Sequence, residues 1–168
     1  MNYQASVDTP FSNLGLRFDG DALTGIDFIA RGILIKPETE IAVRACAQIG
    51  DYCEGRLQRQ GFKLRLRADG TEFQQRVWRA LQAIPSGETR TYGEIAAKLG
   101  TSARAVGNAC RRNPIPLIIP CHRVVAAAGT GGYGGETHGE WITIKRWLLH
   151  HENSEISASI RQRAQSPH

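Results

Sequence analysis

The chemistry in this sequence is concentrated in Asn113-Pro-Ile-Pro-Leu-Ile-Ile-Pro-Cys-His-Arg-Val-Val125. Cys121 and His122 stand side by side there, directly after an apolar run. The thiolate is the reactive form of cysteine and a neighbouring imidazole can promote it, so this pair is the minimum kit for an activated sulfur nucleophile. Pro114, Pro116 and Pro120 lock φ at their own positions and bias the preceding residues toward extended geometry. Leu117 to Ile119 read as a short buried segment between punctuators. Cys121 is therefore expected at the edge of the core, on a rigid backbone rather than a mobile loop. An isolated cysteine is most often a small core hydrophobe. The adjoining His122-Arg123 pair argues against that here, because charged groups are rarely buried without partners.

The other cysteines are Cys46, Cys53 and Cys110, with no Cys-x-x-Cys and no cysteine pair followed by a histidine pair. Cys46 and Cys53 share a face of a predicted helix, but a rise of about 1.5 Å per residue sets their backbones roughly 10 Å apart. That is too far for one disulfide and awkward for one metal, so both read as core. Cys110 reads as packing, although it is a second thiol open to modification. No metal site and no cofactor are expected. A chain of 168 residues fits one compact domain or two small lobes. No apolar run approaches the roughly 20 residues of a membrane span, and Met1 to Asp8 lack the basic-then-apolar layout of a secretory signal. A soluble protein of the reducing cytoplasm is expected. The net charge of +5 and pI of about 9.3 favour an anionic partner without proving one. Arg104, Arg111 and Arg112 crowd one segment, and Arg65, Arg67, Arg76 and Arg79 another.

The elements that must hold this segment are legible in outline. Residues 3 to 29 alternate like strands, with Asp19-Gly20-Asp21 as a hairpin turn between Leu14–Phe18 and Ala22–Ile29. Ile33 to Ile35 add a further short apolar piece. Glu38 to Gln60 has helical periodicity, with Ala42, Ala45, Cys46, Ile49, Cys53 and Leu57 on one stripe and Gly61 as the stop. Phe62 to Leu66 looks like an alternating edge strand. Ala68-Asp69-Gly70 marks a lobe boundary, which gives an α/β N-terminal lobe over 1–69 with a small antiparallel sheet plus a helix. A mostly α lobe follows over 70–153. Thr71 caps a helix with Phe73, Val77, Leu81 and Ile84 inward, ended by Pro85-Ser86-Gly87. Helices over Tyr92–Leu99 and Ala103–Arg112, joined by Gly100-Thr101-Ser102, form a helix-turn-helix pattern. The second is almost all small residues around Arg104, a face that can approach a duplex closely or simply pack tightly against another helix. Residues 126 to 135 form a glycine-rich loop, and Ile142 to Glu152 a last helix with Ile144, Trp147 and Leu148 inward. Residues 154–168 are expected to be a disordered tail.

Pro120-Cys-His-Arg-Val124, preceded by Asn113-Pro114, resembles the active-site signature of the O6-alkylguanine-DNA alkyltransferases. Gly70–Trp78, Gly87–Ile95, Ala103–Val106 and Lys145–Glu152 resemble that family's wording too, in the same order, while the first lobe matches only loosely. The resemblance implies a ribonuclease-H-like N-terminal lobe and a DNA-binding helix-turn-helix. It also implies a suicide repair reaction on double-stranded DNA carrying O6-alkylguanine, with O4-alkylthymine as a second substrate. By position Cys121 is the acceptor, His122 draws its proton through a water, and Glu152 orients His122. Tyr92 donates to the guanine ring, Asn113 braces the segment, and the backbone carbonyls of Cys121 and Val124 read the guanine amino group. Arg104, on a helix opened by Ser102 and Ala103, fills the gap left by the flipped base, and Tyr133 lines the alkyl pocket. Some relatives hold zinc near the N-terminus, but those ligands are absent here. Residues 136–144 are longer than the common family pattern, which leaves the preferred alkyl group open. A monomer that binds no membrane is expected. Two other classes stay open: a non-catalytic helix-turn-helix lesion sensor or regulator, and a cysteine hydrolase. Sensors of that kind lack the cysteine found here at 121, and no oxyanion-loop signature is visible for the hydrolase.

Overall fold

The computed structural model describes residues 2–57, 61–129, 131–132 and 139–165, with side chains in the last helix described as far as Asn153. Strands β1 (Ala5–Asp8), β2 (Asn13–Asp19) and β3 (Ala22–Ile29) form an antiparallel sheet in that order. Gly20, at φ 59°, makes the β2–β3 turn that the Asp-Gly signal predicts. Leu14, Leu16, Leu23 and Ile26 are buried. Ile33 to Ile35 do not form a strand. Ser6 instead bonds the backbone of Ile33 and Ile35 through its hydroxyl, and its N–H donates to Ile35 O at 2.9 Å.

Helix α1 (Glu40–Cys53) is capped by Thr39 and buries Ala42, Ala45, Ile49 and Tyr52. It stops well before the expected Gln60. Gly55, at φ 77°, takes the left-handed conformation that ends helices, and the later Gly61 is not needed for this. Cys46 and Cys53 are half-buried against the core. The expected edge strand at 62–66 is also absent, and its segment makes only one isolated bridge, Leu66 with Leu23. The N–H and C=O of Lys63 are taken by the Gln48 amide, at 2.8 and 3.1 Å, so the ladder cannot extend.

Helix α2 (Glu72–Gln82) opens on a capping box between Thr71 and Gln74 and buries Val77, Trp78, Ala80 and Leu81. Strand β4 (Arg90–Thr91) then leads straight into α3 (Tyr92–Leu99). Gly100, at φ 69°, turns the chain, and Ser102 caps α4 (Ala103–Arg111). Trp78 Nε1 donates to Ala109 O at 3.0 Å, locking α4 onto α2. Strand β5 (Val124–Val125) pairs in parallel with β4, which lays the start of α3 beside the Cys121 segment. On the other side, the Ile26 N–H at the sheet edge donates to Pro114 O at 3.0 Å. Helix α5 runs Glu140–Gln165, so the chain continues as helix past Glu152 where a disordered tail was expected. No Gly or Pro stands between residues 140 and 166 to stop it, and each added residue adds a backbone bond. Buried side chains from the sheet, the helices and the Cys121 segment form one continuous apolar cluster. Among the described residues no helix is long and apolar enough to cross a membrane.

Candidate active site

The proline-rich run enters the core. Ile115, Leu117, Ile118 and Ile119 are all buried, and Pro120 hands the chain to a tight turn over Cys121–Arg123. Leu117, at φ 77°, is the one non-glycine residue with left-handed backbone among those described. That conformation costs a side-chain-bearing residue roughly 1–2 kcal/mol. Burying the leucine, which is 1% exposed, offsets it. The Asn113 amide spans the loop: Nδ2 donates to Ile119 O at 2.8 Å and to Cys121 Sγ at 3.2 Å, and Oδ1 accepts from Ile115 N at 3.0 Å. The sulfur is thus held by a donor that favours its anionic form, and Cys121 as a whole is only 6% exposed.

His122 is fully buried, and its Nε2 meets Glu152 Oε2 at 3.0 Å. The Nε2 proton therefore points to the carboxylate. Nδ1 is left with no hydrogen-bond partner among the described residues, which is the free lone pair a base requires. Burial lowers the proton affinity of the imidazole, against the pull of Glu152, so the ring rests neutral. Burial alone would raise the Glu152 carboxyl, yet His122 and Arg123 hold it well below the usual range. Arg123 grips both carboxylate oxygens, Nε to Oε1 at 2.9 Å and Nη2 to Oε2 at 2.8 Å, and its Nη1 donates to Ile84 O at 2.7 Å. Cys121 is thus buried even though His122 and Arg123 adjoin it: His122 is buried and Arg123 is only 12% exposed because Glu152 partners both. Nor does Glu152 sit at a helix C-terminus, since α5 continues beyond it.

Tyr92, the first residue of α3, has its hydroxyl pushed up to about 12 by burial, with Cys110 and Cys121 adding to the effect. It stays a proton donor at neutral pH and points to Gly132 O at 3.3 Å. Lys145 is fully buried, donates to Val124 O at 2.7 Å and Gly132 O at 2.9 Å, and lies 5.8 Å from the Tyr92 ring centre. Burial brings its ammonium down to about 8. The two carbonyls expected to read a base are already engaged, Val124 O by Lys145 and Cys121 O by the Val124 N–H. Each carbonyl keeps a second lone pair. Ser102, Ala103 and Arg104 lie exposed at the start of α4, with Arg111 and Arg112 exposed at its end. The second arginine cluster is partly neutralised: Arg65 pairs with Asp21, Arg67 with Asp19, and Arg76 donates to Leu99 O. Cys110 is half-buried, and burial raises its thiol far above the ordinary range. Tyr133 and the extended loop fall largely outside the described residues. No group of three His, Cys, Asp or Glu among the described residues can hold a metal. Two surface grooves, one of about 610 Å³ along Phe62, Trp78 and Pro120, do not include Cys121 in their walls.

The structure brings Cys121, His122, Glu152, Asn113, Val124 and Tyr92 together and keeps Arg104 on the outer helix face. Arg123, Lys145 and Tyr52, which also contact this network, went unassigned in the sequence. Of these, Arg123 carried a signal in its position beside the Cys-His pair and Lys145 in opening the Lys145–Glu152 stretch, while Tyr52 carried none.

A buried thiol braced by an amide, backed by a neutral imidazole and a carboxylate, defines an activated-cysteine protein. The family model for the 6-O-methylguanine DNA methyltransferase DNA-binding domain matches residues 72–154. A methylated-DNA–protein-cysteine methyltransferase of Mycobacterium leprae is 46% identical over 92% of this chain and 94% of its own length. The crystal structure of Mycobacterium tuberculosis O6-methylguanine methyltransferase superposes with a TM-score of 0.76 at 41% identity, covering 89% of this chain and 92% of that one. A second structure of that protein, in complex with DNA, gives the same TM-score of 0.76. The chain belongs to the methylated-DNA–protein-cysteine methyltransferase family.

Proposed function

We propose that this protein repairs DNA by direct reversal, moving the alkyl group of O6-alkylguanine irreversibly onto Cys121. The observation that carries the reading is Cys121 Sγ, buried and 3.2 Å from Asn113 Nδ2, next to the neutral His122 paired with Glu152. In this reading the thiol proton passes through a water to His122 Nδ1, and Glu152 holds the imidazolium that forms. The sulfur attacks the alkyl carbon, a C–S bond forms, and the C–O6 bond breaks with its electron pair going to guanine. Tyr92 donates toward the leaving base, and its raised pKa keeps that proton available. Asn113 braces the loop, the Cys121 and Val124 carbonyls accept from the base amino group, and Tyr133 walls the alkyl pocket. The thioether has no easy leaving step, so each molecule acts once and no cofactor is consumed.

The base must leave the duplex to reach a buried sulfur, at a cost of a few kcal/mol. Helices α3 and α4, with the small residues around Arg104, support a helix-turn-helix that enters the minor groove while Arg104 fills the vacated stack. Phosphate contacts then make binding salt-dependent and insensitive to sequence. The same reading includes a ribonuclease-H-like supporting lobe over 1–69, the reacting lobe over 70–153, activity on O4-alkylthymine, a monomer, and a reducing cytoplasm that keeps Cys121 a thiol. Cys121 is present, which disfavours the lesion-sensor reading.

The test is mass spectrometry of the whole protein and its peptides after incubation with a duplex holding one O6-methylguanine. A single methylene added to the Asn113–Arg123 peptide, once per molecule, is the expected result. Binding without modification would return the sensor reading.

A further inference from the structure

Glu152 Oε2 is loaded by more than the reaction scheme requires. Besides His122 and Arg123, it accepts a hydrogen bond from the Tyr52 hydroxyl at 2.9 Å. Tyr52 comes from the last turn of α1, 100 residues away in sequence, and is 4% exposed. The adjacent residue of α5 holds the same tyrosine a second time: His151 Nε2 lies 2.7 Å from Tyr52 O, and the two rings meet edge-on at 5.2 Å. A tie between α1 and α5 would be complete with the His151 contact alone. The hydroxyl instead meets the very oxygen that holds His122 Nε2.

We propose that Tyr52 is a positioning residue for alkyl transfer, whose hydroxyl fixes Glu152 Oε2 and, through it, the His122 imidazole. The inference rests on the functional reading above and adds to it a residue from the supporting half of the chain. Its chemistry is directional. A donor on Oε2 withdraws electron density from the carboxylate, so Glu152 stabilises an imidazolium less strongly and His122 stays neutral and basic at Nδ1 over a wider pH range. The other charged groups acting on the ring are Glu152 and Lys145 from α5 and Arg123 from its own turn. Of these, only Glu152 loses a hydrogen bond when Tyr52 is changed.

The experiment compares the unaltered protein with Tyr52→Phe by three readouts: the single-turnover rate of transfer from a methylated duplex against pH, the titration of the His122 ring followed by nitrogen NMR, and the thermal midpoint. The expected result is a fall in rate of about three- to tenfold near neutral pH, the scale of one net hydrogen bond. The His122 midpoint and the acidic limb of the rate profile should both move to higher pH. An unchanged rate with an unmoved His122 titration overturns the proposal, whatever happens to the thermal midpoint. If Tyr52→Phe does not fold, 3-fluorotyrosine installed at position 52 decides, measured below its own ionisation. It is a stronger donor of nearly the same shape, and it should move the His122 midpoint to lower pH. No movement overturns the proposal. If the unaltered protein transfers no methyl group, the functional reading fails, while the NMR comparison still decides the link from Tyr52 to His122.

Discussion

Glu152→Gln keeps the side-chain volume and removes the charge at the centre of the network. The carboxylate is 1% exposed and takes two hydrogen bonds from Arg123, one from His122 and one from Tyr52, all between 2.8 and 3.0 Å. A glutamine amide has one oxygen and an NH2 group that only donates. In either orientation it sets a donor against a donor, and Arg123, 12% exposed, loses its counter-charge. Removing one partner of a buried ion pair costs about 3–5 kcal/mol. At about 2–4 °C per kcal/mol for a chain of this size, the thermal midpoint should fall by roughly 6–20 °C. The pH dependence has a definite sign. The folded pKa of Glu152 is depressed, so its contribution is complete above the unfolded carboxyl value of about 4.3 and is lost as the pH falls through the folded value. The gap between parent and variant should therefore be widest near neutral pH and should close in acid. Transfer should slow by about 10²–10⁴-fold, the range for losing the group that orients a catalytic imidazole. Single-turnover transfer and thermal melts from neutral to acidic pH measure both effects. A rate within about threefold of the parent, roughly 0.7 kcal/mol, would refute the role given to Glu152. A melting gap that does not narrow in acid would refute the charge argument.

Arg104→Ala should slow transfer from duplex DNA by up to about 100-fold, the rate equivalent of a few kcal/mol of base flipping. It should leave transfer from free O6-benzylguanine unchanged, and rates on the two substrates check this. Asn113→Ala leaves Ile115 N without its acceptor and removes one of the two donors to Ile119 O, which keeps the Cys121 N–H, so a loss of about 1–3 kcal/mol is expected in denaturant melts, together with slower alkylation of Cys121. Replacing Arg111 and Arg112 by Ala should reduce the slope of log binding constant against log salt by about 0.9 for each phosphate no longer neutralised. Fluorescence anisotropy on an undamaged duplex measures that slope.

What the sequence made legible was local. The Asp19-Gly20-Asp21 turn, the Thr71 and Ser102 caps and the Gly100 turn each rest on one or two residues whose backbone preferences are intrinsic, and each appears where expected. Misjudged ends were local signals overruled by nearby ones: Gly55 closed α1 before Gly61 could, and the Gln48 amide took the backbone groups that a strand at Phe62–Leu66 would have needed. Cys121 and His122 were legible as a pair because they are adjacent, and Asn113 was legible through the family resemblance. The roles of Tyr52 and Lys145 were not, since their contacts with the site form only when distant stretches pack together. Arg123 was visible yet misread. A charge beside the thiol argued for exposure until its buried counter-charge was known.

Leu117 has a consequence for how the Cys121 loop acquires its shape. Its left-handed backbone would suit glycine, yet glycine would forfeit the buried side chain. Local preference and global packing pull in opposite directions there, which is a small, deliberate frustration in an otherwise consistent landscape. Despite its three prolines, the stretch from Asn113 to Val125 does not carry its native conformation within itself. An excised peptide would relax at Leu117 and let the sulfur drift from the Asn113 amide. The placement of the sulfur beside the Asn113 amide thus depends on the apolar cluster that receives Leu117, and not on the loop alone.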